Sequence, residues 1–310
     1  MSFPKWYCFV FLLLISITSN SATDSLRQYR FGTDVTITID SPATLSYTRT
    51  QVVLYALPNG NTTAQTMGKR LQPGDDWHFD IQHIAAQTRF TRSLLKENLI
   101  VVYLENDLKS WPQWKRQHAN YRQLIPAIMD TIQQLLALPH YKLHLNGHSG
   151  GGSFIFGYLD AVQTIPNDVQ RITFLDSNYG YDSSYAPALR QWLKAGKQHY
   201  LTVFAYNDSV ALYNGKPVVS ATGGTWYKSK QLLQDLQTLR FTGNTDSISH
   251  YQSANKRVNV YLKENPDRAI YHTQQVEKNG FIHSILIGTA AANHGYRYYG
   301  ERAYTALIRQ

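Results

Sequence analysis

The residues around Ser149 have the types and spacing that a catalytic serine requires. The segment Leu143–Ser153 reads L-H-L-N-G-H-S-G-G-G-S, so an apolar run enters the pattern G-x-S-x-G. A serine on a sharp turn between a strand and a helix exposes its hydroxyl as a nucleophile. The first amides of the following helix face the negative charge that develops during attack. This spacing predicts nucleophilic catalysis by Ser149.

The glycines of this segment have a steric explanation. Side chains two residues on either side of Ser149 would collide with neighbouring backbone, and glycine at 147 and 151 removes those collisions. A competing interpretation is a glycine-rich helix start in which Ser149 is only a turn residue. The apolar strand-like segments before and after the pattern favour the catalytic interpretation.

The elements around this turn alternate between strand and helix. β-branched, apolar runs predict strands at Asp34–Asp40, Gln51–Leu57, Asn98–Leu104, Tyr141–Leu145, Arg171–Leu175, Tyr200–Ala205 and Arg257–Leu262. Helical spacing predicts helices at Asp80–Lys96, Tyr121–Leu138, Ser153–Val162, Tyr185–Ala195, Thr225–Leu239 and Arg302–Ile308. Such alternation favours an α/β fold with a mostly parallel central sheet and helices on both faces. No linker or repeat is evident, so one domain over residues 23–310 is expected.

With the elbow and this order of strands, the sequence resembles the α/β-hydrolase family from about Asp34 to the C-terminus. The resemblance implies a serine nucleophile after the fifth strand and an acid after the sixth or seventh. It also implies a histidine after the eighth strand and acyl transfer to water through an acyl-enzyme.

The resemblance leaves two candidates for the acid. Asp176 ends the strand R-I-T-F-L-D, which is similar to a segment of the pancreatic-lipase branch of the family. Asp208 ends the next strand, at the commoner family position. A carboxylate holds the histidine in the required tautomer and stabilises its cation, and either position allows this. We favour Asp176 and keep Asp208 as the alternative.

Three histidines follow the last predicted strand: His272, His283 and His294. We favour His283, because Asn279-Gly280 forms a turn that leads into an apolar helix-like run, as in the catalytic loop of the family. His148 is next to the nucleophile, but its side chain is expected to point away from the position of the base.

The resemblance also implies an oxyanion hole made of two amides. Gly150, after the nucleophile, is expected to supply one of them. The family often has a His-Gly pair in the loop that corresponds to the one after Gln51–Leu57, whereas this chain has Pro58-Asn59 there. Asn59 is our choice for the second donor, although turn chemistry alone also places an Asn-Gly pair at such a site.

Several polar and aromatic segments follow the predicted strands, and we expect them to line the site or to form exposed loops and helix caps. They are Trp77–His83, Glu105–Asp107 and Trp111–Trp114. The spacing of His78 and His83 does not match a zinc motif. The glycines before Thr225 lack the lysine of a phosphate-binding loop. We therefore expect no metal and no cofactor.

The N-terminus has the organisation of a secretory signal peptide. Lys5 precedes an apolar run from Trp6 to Ile17, and small polar residues follow up to Ala22. This run is shorter than the about 20 residues needed to cross a bilayer, so residues 1–22 are expected to be cleaved rather than to form a stable membrane anchor. The expected location is secreted or periplasmic. Cys8 is the sole cysteine of the chain and lies inside this segment.

Composition limits the classes of partner. The chain has 310 residues, of which 43% are hydrophobic and only 16% charged, with a formal charge of +9. The basic residues are scattered and form no patch, so nucleic-acid binding is not expected. The predicted function is an exported serine hydrolase that cleaves an ester, of a small molecule or a polymer, in preference to an amide. The alternative is a non-catalytic carbohydrate- or polymer-binding protein on the same fold, using aromatic stacking.

Overall fold

A ten-stranded sheet organises the chain in a computed structural model that describes residues 24–310. Its strands lie in the order β1-β2-β4-β3-β5-β6-β7-β12-β11-β10. They are β1 Asp24–Phe31, β2 Val35–Pro42, β3 Thr50–Ala56, β4 Asn98–Asn106, β5 Lys142–His148, β6 Val169–Leu175, β7 Tyr200–Tyr206, β10 Leu239–Thr245, β11 Ile248–Ser253 and β12 Val258–Lys263. The strands from β4 to β12 in this order run parallel, while β1, β2, β11 and β10 pair antiparallel at the two edges. Two short strands, β8 Leu212–Tyr213 and β9 Lys216–Pro217, form a separate hairpin.

Helices cover both faces of the sheet. They are α1 Thr63–Met67, α2 Ile84–Leu94, α3 Trp111–Gln117, α4 Tyr121–Leu136, α5 Gly152–Ala161, α6 Ala186–Ala195, α7 Thr225–Leu236, α8 Gln274–Glu277 and α9 Gly280–Leu286. Alternate residues of a strand face opposite sides, and β3 shows this directly. Val52, Leu54 and Ala56 pack in one apolar core, whereas Val53 and Tyr55 pack in the other. Because both sides are buried, the central strands read as continuous apolar runs.

The predicted strands all lie in the main sheet, and the expected α/β fold with a mostly parallel sheet is confirmed. Strand β1 and the β10–β11 hairpin were not predicted, because they are edge strands with half-exposed or exposed side chains and so carry a weak apolar signal. With β1 included, β5 is the fifth strand along the chain, and β12 takes the eighth position across the sheet.

Some predicted helices have different bounds. The helix predicted from Asp80 begins only at Ile84, because His83 has a left-handed backbone, with φ of 49°, that interrupts it. The last predicted helix is a single 3₁₀ turn at Thr305–Leu307. Side-chain bonds hold this segment instead: Arg302 donates to Asp80 and Glu277, and the Tyr304 hydroxyl donates to the Glu277 carbonyl. Helix α3 was missed, although Ser110 caps its first turn and Pro112 stands inside that turn.

The predicted signal peptide and Cys8 lie outside the described residues. Between Asp24 and Gln310, none of the helices combines the length and the apolar character that crossing a bilayer demands.

Candidate active site

Ser149 stands on a tight turn between β5 and α5. Strand β5 ends at His148, residues Ser149–Gly151 form one 3₁₀ turn, and α5 begins at Gly152. The φ of Ser149 is 54°, in the left-handed region that a residue with a Cβ seldom adopts. This strand–turn–helix arrangement is the one expected of a nucleophile elbow. It leaves the hydroxyl of a half-buried serine beside the start of a helix.

The glycines around Ser149 are required by close backbone contacts. A Cβ on Gly147 would lie 2.9 Å from the carbonyl carbon of Gly151, and one on Gly151 would lie 2.1 Å from the carbonyl oxygen of Ala56. Both collisions are the ones expected from the sequence. A Cβ on Gly152 would lie 1.8 Å from the carbonyl oxygen of Ser177, a contact that the sequence did not indicate. The turn is therefore packed between β3 and the segment after β6.

Asp176 contacts a histidine, and that histidine is His272. Asp176 directly follows β6, is fully buried, and has a φ of 47°. Its Oδ2 lies 2.5 Å from Nδ1 of His272, which therefore donates to the carboxylate. His272 lies in the turn before α8, nine residues beyond the end of β12. This bond fixes the ring so that its Nε2 is the nitrogen left to exchange protons with a hydroxyl.

His148 connects the elbow to His272. The Nε2 of His148 lies 3.2 Å from the carbonyl oxygen of His272 and donates to it, and the two rings are 4.4 Å apart. Burial holds the pKa of His148 well below its usual range, and the charge of His272 lowers it further, so the His148 ring is neutral. Because His148 immediately precedes Ser149, this contact brings His272 to the elbow.

Asp208, the alternative acid, contacts α7 rather than a histidine. It accepts hydrogen bonds from the amides of Thr225, at 2.7 Å, and Trp226, at 3.3 Å. A Cβ on Gly224 would lie 2.3 Å from its Oδ1, which explains the glycine before α7. The Thr225 hydroxyl donates to Asp176 and also lies 3.3 Å from Asp208. The Thr225 hydroxyl therefore lies between the two carboxylates.

Burial, followed by the charge of Asp176, raises the pKa of Asp208 to about 6. A folded-state pKa above that of the unfolded chain gives stability at acidic pH that is lost as pH rises through about 6. We expect Asp208→Asn to remove this loss. The free energy of unfolding of the variant, relative to wild type, should rise by about 2 kcal/mol between pH 4.5 and pH 7.5, since a tenfold change in proton affinity is worth about 1.4 kcal/mol. Urea unfolding of both proteins at both pH values measures this change. A stability difference between Asp208→Asn and wild type that is the same at both pH values would contradict the raised pKa of Asp208.

The expected pairing of His283 with Asp176 is not found. His283 lies one turn into α9, because Asn279-Gly280 begins that helix rather than a loop. Its Nε2 lies 2.9 Å from the Tyr261 hydroxyl and its Nδ1 lies 3.1 Å from the Tyr296 hydroxyl. Burial lowers the pKa of His283 to about 3. It is a neutral histidine that links β12 to the C-terminal segment, and His294 is exposed in a loop.

The surroundings of His283 predict a structural rather than a chemical effect of mutation. We expect His283→Phe to lower the free energy of unfolding by about 1–3 kcal/mol, since it leaves the hydroxyls of the buried Tyr296 and the half-buried Tyr261 without their partner. The hydrolytic rate per folded molecule should change little. Denaturant unfolding and active-site titration of the same samples separate the two. A loss of rate without a loss of stability would return His283 to the site.

Asn59 lies against Gly150, so the two proposed oxyanion donors are neighbours. A Cβ on Gly150 would lie 1.9 Å from the Asn59 Oδ1. The loop that carries Asn59 is fixed by a backbone hydrogen bond, in which the Gly60 amide donates to the Lys109 carbonyl at 2.8 Å. Farther along, Glu105 accepts from the amide and the hydroxyl of Thr63, both at 2.7 Å. A side chain at position 150 would displace Asn59.

A small cleft opens at Ser149 and a larger one at His283. The first has a volume of about 280 Å³, and its lining includes Ser149, Gly150, Ser153, Tyr179, Tyr185 and Lys115. The second, of about 640 Å³, is lined by His283, His250, Tyr261, Tyr296 and Tyr298, among others. We place the candidate active site in the smaller cleft, because the elbow serine opens into it.

The other segments singled out in the sequence have mainly structural contacts. Trp111 and Trp114 are buried in the core, and Asp107 forms an ion pair with Arg30 at 2.8 Å. Trp77 is exposed and stacks on His78. Within residues 24–310, no three His, Cys, Asp or Glu side chains are grouped as metal ligands would be.

Comparisons with known proteins give distant structural similarities. No protein-family model and no curated protein sequence matches the chain. A glucuronoyl esterase from Solibacter usitatus is 11% identical with a TM-score of 0.42, over 88% of this chain and 86% of that one. Poly(aspartic acid) hydrolase-1 from Sphingomonas sp. KT-1 is 12% identical with a TM-score of 0.42, over 86% and 98%. An S-formylglutathione hydrolase from Agrobacterium tumefaciens is 12% identical with a TM-score of 0.41, over 89% and 99%.

Because a fold does not fix a function, these similarities leave the substrate of this chain open. The fold itself follows from the chain's own topology. A mostly parallel sheet carries a serine elbow after its fifth strand, a buried aspartate after its sixth and a histidine after the strand in eighth position. The described chain has the α/β-hydrolase fold.

Proposed function

We propose that this protein is a serine hydrolase that cleaves carboxylic esters through an acyl-enzyme on Ser149. The observation that carries the proposal is the buried Asp176 bonded to His272, whose ring lies 4.4 Å from that of His148, the residue before the strained Ser149. A buried carboxylate on one nitrogen of an imidazole, with the other nitrogen toward a serine, is the arrangement of a catalytic triad. In this proposal His272 is the general base, in place of His283.

Each residue has a defined role in the proposed reaction. The Ser149 oxygen attacks the ester carbonyl while Nε2 of His272 takes its proton, and Asp176 stabilises the resulting cation. The amide of Gly150 and a donor from Asn59 bind the oxyanion of the tetrahedral intermediate. His272 then gives the proton to the leaving alcohol. Water, activated by the same histidine, attacks the acyl-enzyme and releases the acid, and the proton returns to Ser149.

Covalent labelling tests the nucleophile directly. A fluorophosphonate probe should modify folded wild-type protein once, and the adduct should map to Ser149 by peptide mass spectrometry. Ser149→Ala should remain unlabelled, while Ser153→Ala, a serine of the same cleft, should still be labelled. An adduct elsewhere, or none on folded protein, would refute the proposal.

Export belongs to the proposal as well, and it rests on the N-terminal pattern of residues 1–22. The mature protein is expected to begin near Thr23 and to lack cysteine. Expression of the full chain with N-terminal sequencing of the product in cells and medium tests this. A product that keeps Met1 and stays in the cytoplasm would contradict it.

The cavity at His283 favours a second candidate, the binding of a carbohydrate without chemistry. The ring of His250 stacks on Tyr261 at 4.2 Å with an angle of 5°, and Gln252 adds an amide to the lining of the same cavity. Aromatic faces with nearby hydrogen-bonding groups suit sugars. Retention on polysaccharide that persists in Ser149→Ala, together with no esterase activity in wild type, would favour this function.

A further inference from the structure

Lys115 brings a positive charge to the cleft that contains Ser149. It lies in α3, lines the cleft, and has 19% of its side chain exposed. The rest of the lining is uncharged: the serine hydroxyls of Ser149 and Ser153 occupy one part, and Phe156 and Tyr185 contribute aromatic surface. An ammonium group in such surroundings is a recognition element for an anion.

The counter-ion of Lys115 is already engaged by other groups. Asp160 lies 3.7 Å from its ammonium nitrogen, which is too long for a strong hydrogen bond. One oxygen of Asp160 accepts from the Tyr121 hydroxyl at 2.9 Å, and the other accepts from the Tyr185 hydroxyl at 2.6 Å. The Lys115 nitrogen also lies 4.8 Å from the ring centre of Tyr121. Lys115 thus keeps N–H donors for a further acceptor.

Asp160 stabilises the positive charge of Lys115, whereas burial opposes it. Burial lowers its pKa below the ordinary 10.5, and Asp160 partly restores it, while Arg122 opposes the charge weakly. A partly desolvated ammonium gains from a new carboxylate partner, because the cost of burying it has already been met in the folded protein.

We propose that Lys115 binds a carboxylate of the substrate, so that the site takes esters that carry a second, free carboxylate group. This inference rests on the proposed role of Ser149 as nucleophile. A cleft of about 280 Å³ suits a short acidic acyl or alcohol group near the reacting carbonyl. Charge-assisted bonds of this kind favour the anionic substrate about tenfold to a hundredfold.

Two matched pairs of probes test the inference. The first is the 4-nitrophenyl monoester of glutaric acid against its methyl diester, which places the carboxylate on the acyl side. The second is 4-acetoxybenzoate against its methyl ester, which places it on the alcohol side. We expect wild type to prefer the anionic member of at least one pair by about tenfold or more in kcat/KM.

Variants of Lys115 show whether the lysine causes the preference. Lys115→Met should abolish it, and Lys115→Arg should keep part of it. Asp160 stays satisfied in both variants by its two tyrosine hydroxyls, so the fold is expected to persist; Lys115→Gln is the second neutral variant should Lys115→Met be poorly folded. Lys194→Met is the matched control, because Lys194 lines a different cavity. Free glutarate should slow fluorophosphonate labelling of wild type but not of Lys115→Met.

The outcomes distinguish this inference from the proposed function. If Ser149-dependent hydrolysis occurs without any preference for the anion, or if the preference survives in the neutral Lys115 variants, the inference is wrong and the hydrolase proposal stands. If no ester is hydrolysed and no probe labels Ser149, both are overturned together. If Lys194→Met loses the preference for the anionic ester as fully as the Lys115 variants do, the preference reflects the overall charge of the protein, and the inference is wrong.

Discussion

Ser149→Ala should lower ester turnover by about 10⁴- to 10⁶-fold. The variant removes the attacking oxygen and keeps the backbone turn, because alanine has the same Cβ as serine and fits the φ of 54° no worse. Turnover of a 4-nitrophenyl ester by purified folded protein measures the loss. Retention of more than about one-hundredth of the wild-type rate would exclude Ser149 as the nucleophile.

The strain at Ser149 supplies an independent control. A residue other than glycine in the left-handed region costs about 1–3 kcal/mol, and glycine avoids most of that cost. Ser149→Gly should therefore raise the free energy of unfolding by about 1 kcal/mol while losing the same activity as Ser149→Ala. A stability gain with a loss of rate is the expected behaviour of a backbone held in place for chemistry. If Ser149→Gly is instead less stable than Ser149→Ala, the turn is not strained.

The elbow was predictable from the sequence because its chemistry is local. The spacing of Gly147, Ser149 and Gly151 encodes close contacts with neighbouring backbone, and those contacts occur as expected. The central strands were equally accessible, since burial on both faces makes them continuous apolar runs. Edge strands such as β1 were not predictable in this way, because a half-exposed strand contains fewer apolar residues in succession.

The choice of histidine depended on tertiary structure that the sequence does not encode locally. His272 and His283 both follow β12, and an Asn-Gly pair made the segment before His283 resemble a loop. In the fold, Asn279 takes the left-handed conformation with φ of 66°, and α9 starts directly after it. Its side-chain Nδ2 donates to the carbonyls of Arg297 and Glu301. One signal did favour His272: it is closer in sequence than His283 to the end of β12.

The sequence could not decide which aspartate is the acid, because Asp176 and Asp208 both follow the carboxyl ends of parallel strands. What distinguishes them is the start of α7, whose amides bind Asp208 and whose Thr225 hydroxyl donates to Asp176. This helix begins after a loop, and no periodicity places that loop over a particular strand end. Asp176 is the acid that can accept from an imidazole, because only its Oδ1 is bound by the Thr225 hydroxyl and its Oδ2 is available to His272.

His272→Ala should lower turnover by about as much as Ser149→Ala, since a nucleophile and its base act as one unit. Asp176→Asn keeps the shape of the side chain and should cost about 10⁴-fold, because an amide at that position favours the wrong imidazole tautomer. Double variants with Ser149→Ala should show little further loss. The pH dependence of kcat/KM for wild type should rise along one acidic limb that disappears in His272→Ala.

The comparison with His283 decides the assignment. His283→Phe should keep that acidic limb and most of the rate per folded molecule, because its imidazole is occupied by Tyr261 and Tyr296. Two variants with equal folded fractions, one at each histidine, therefore give opposite results on rate and on pH profile. If His272→Ala retains the wild-type rate and profile while His283→Phe loses both, the bond between Asp176 and His272 serves only to hold the loop after β12. The general base would then have to reach Ser149 from α9, which would require α9 to move away from its two tyrosine partners.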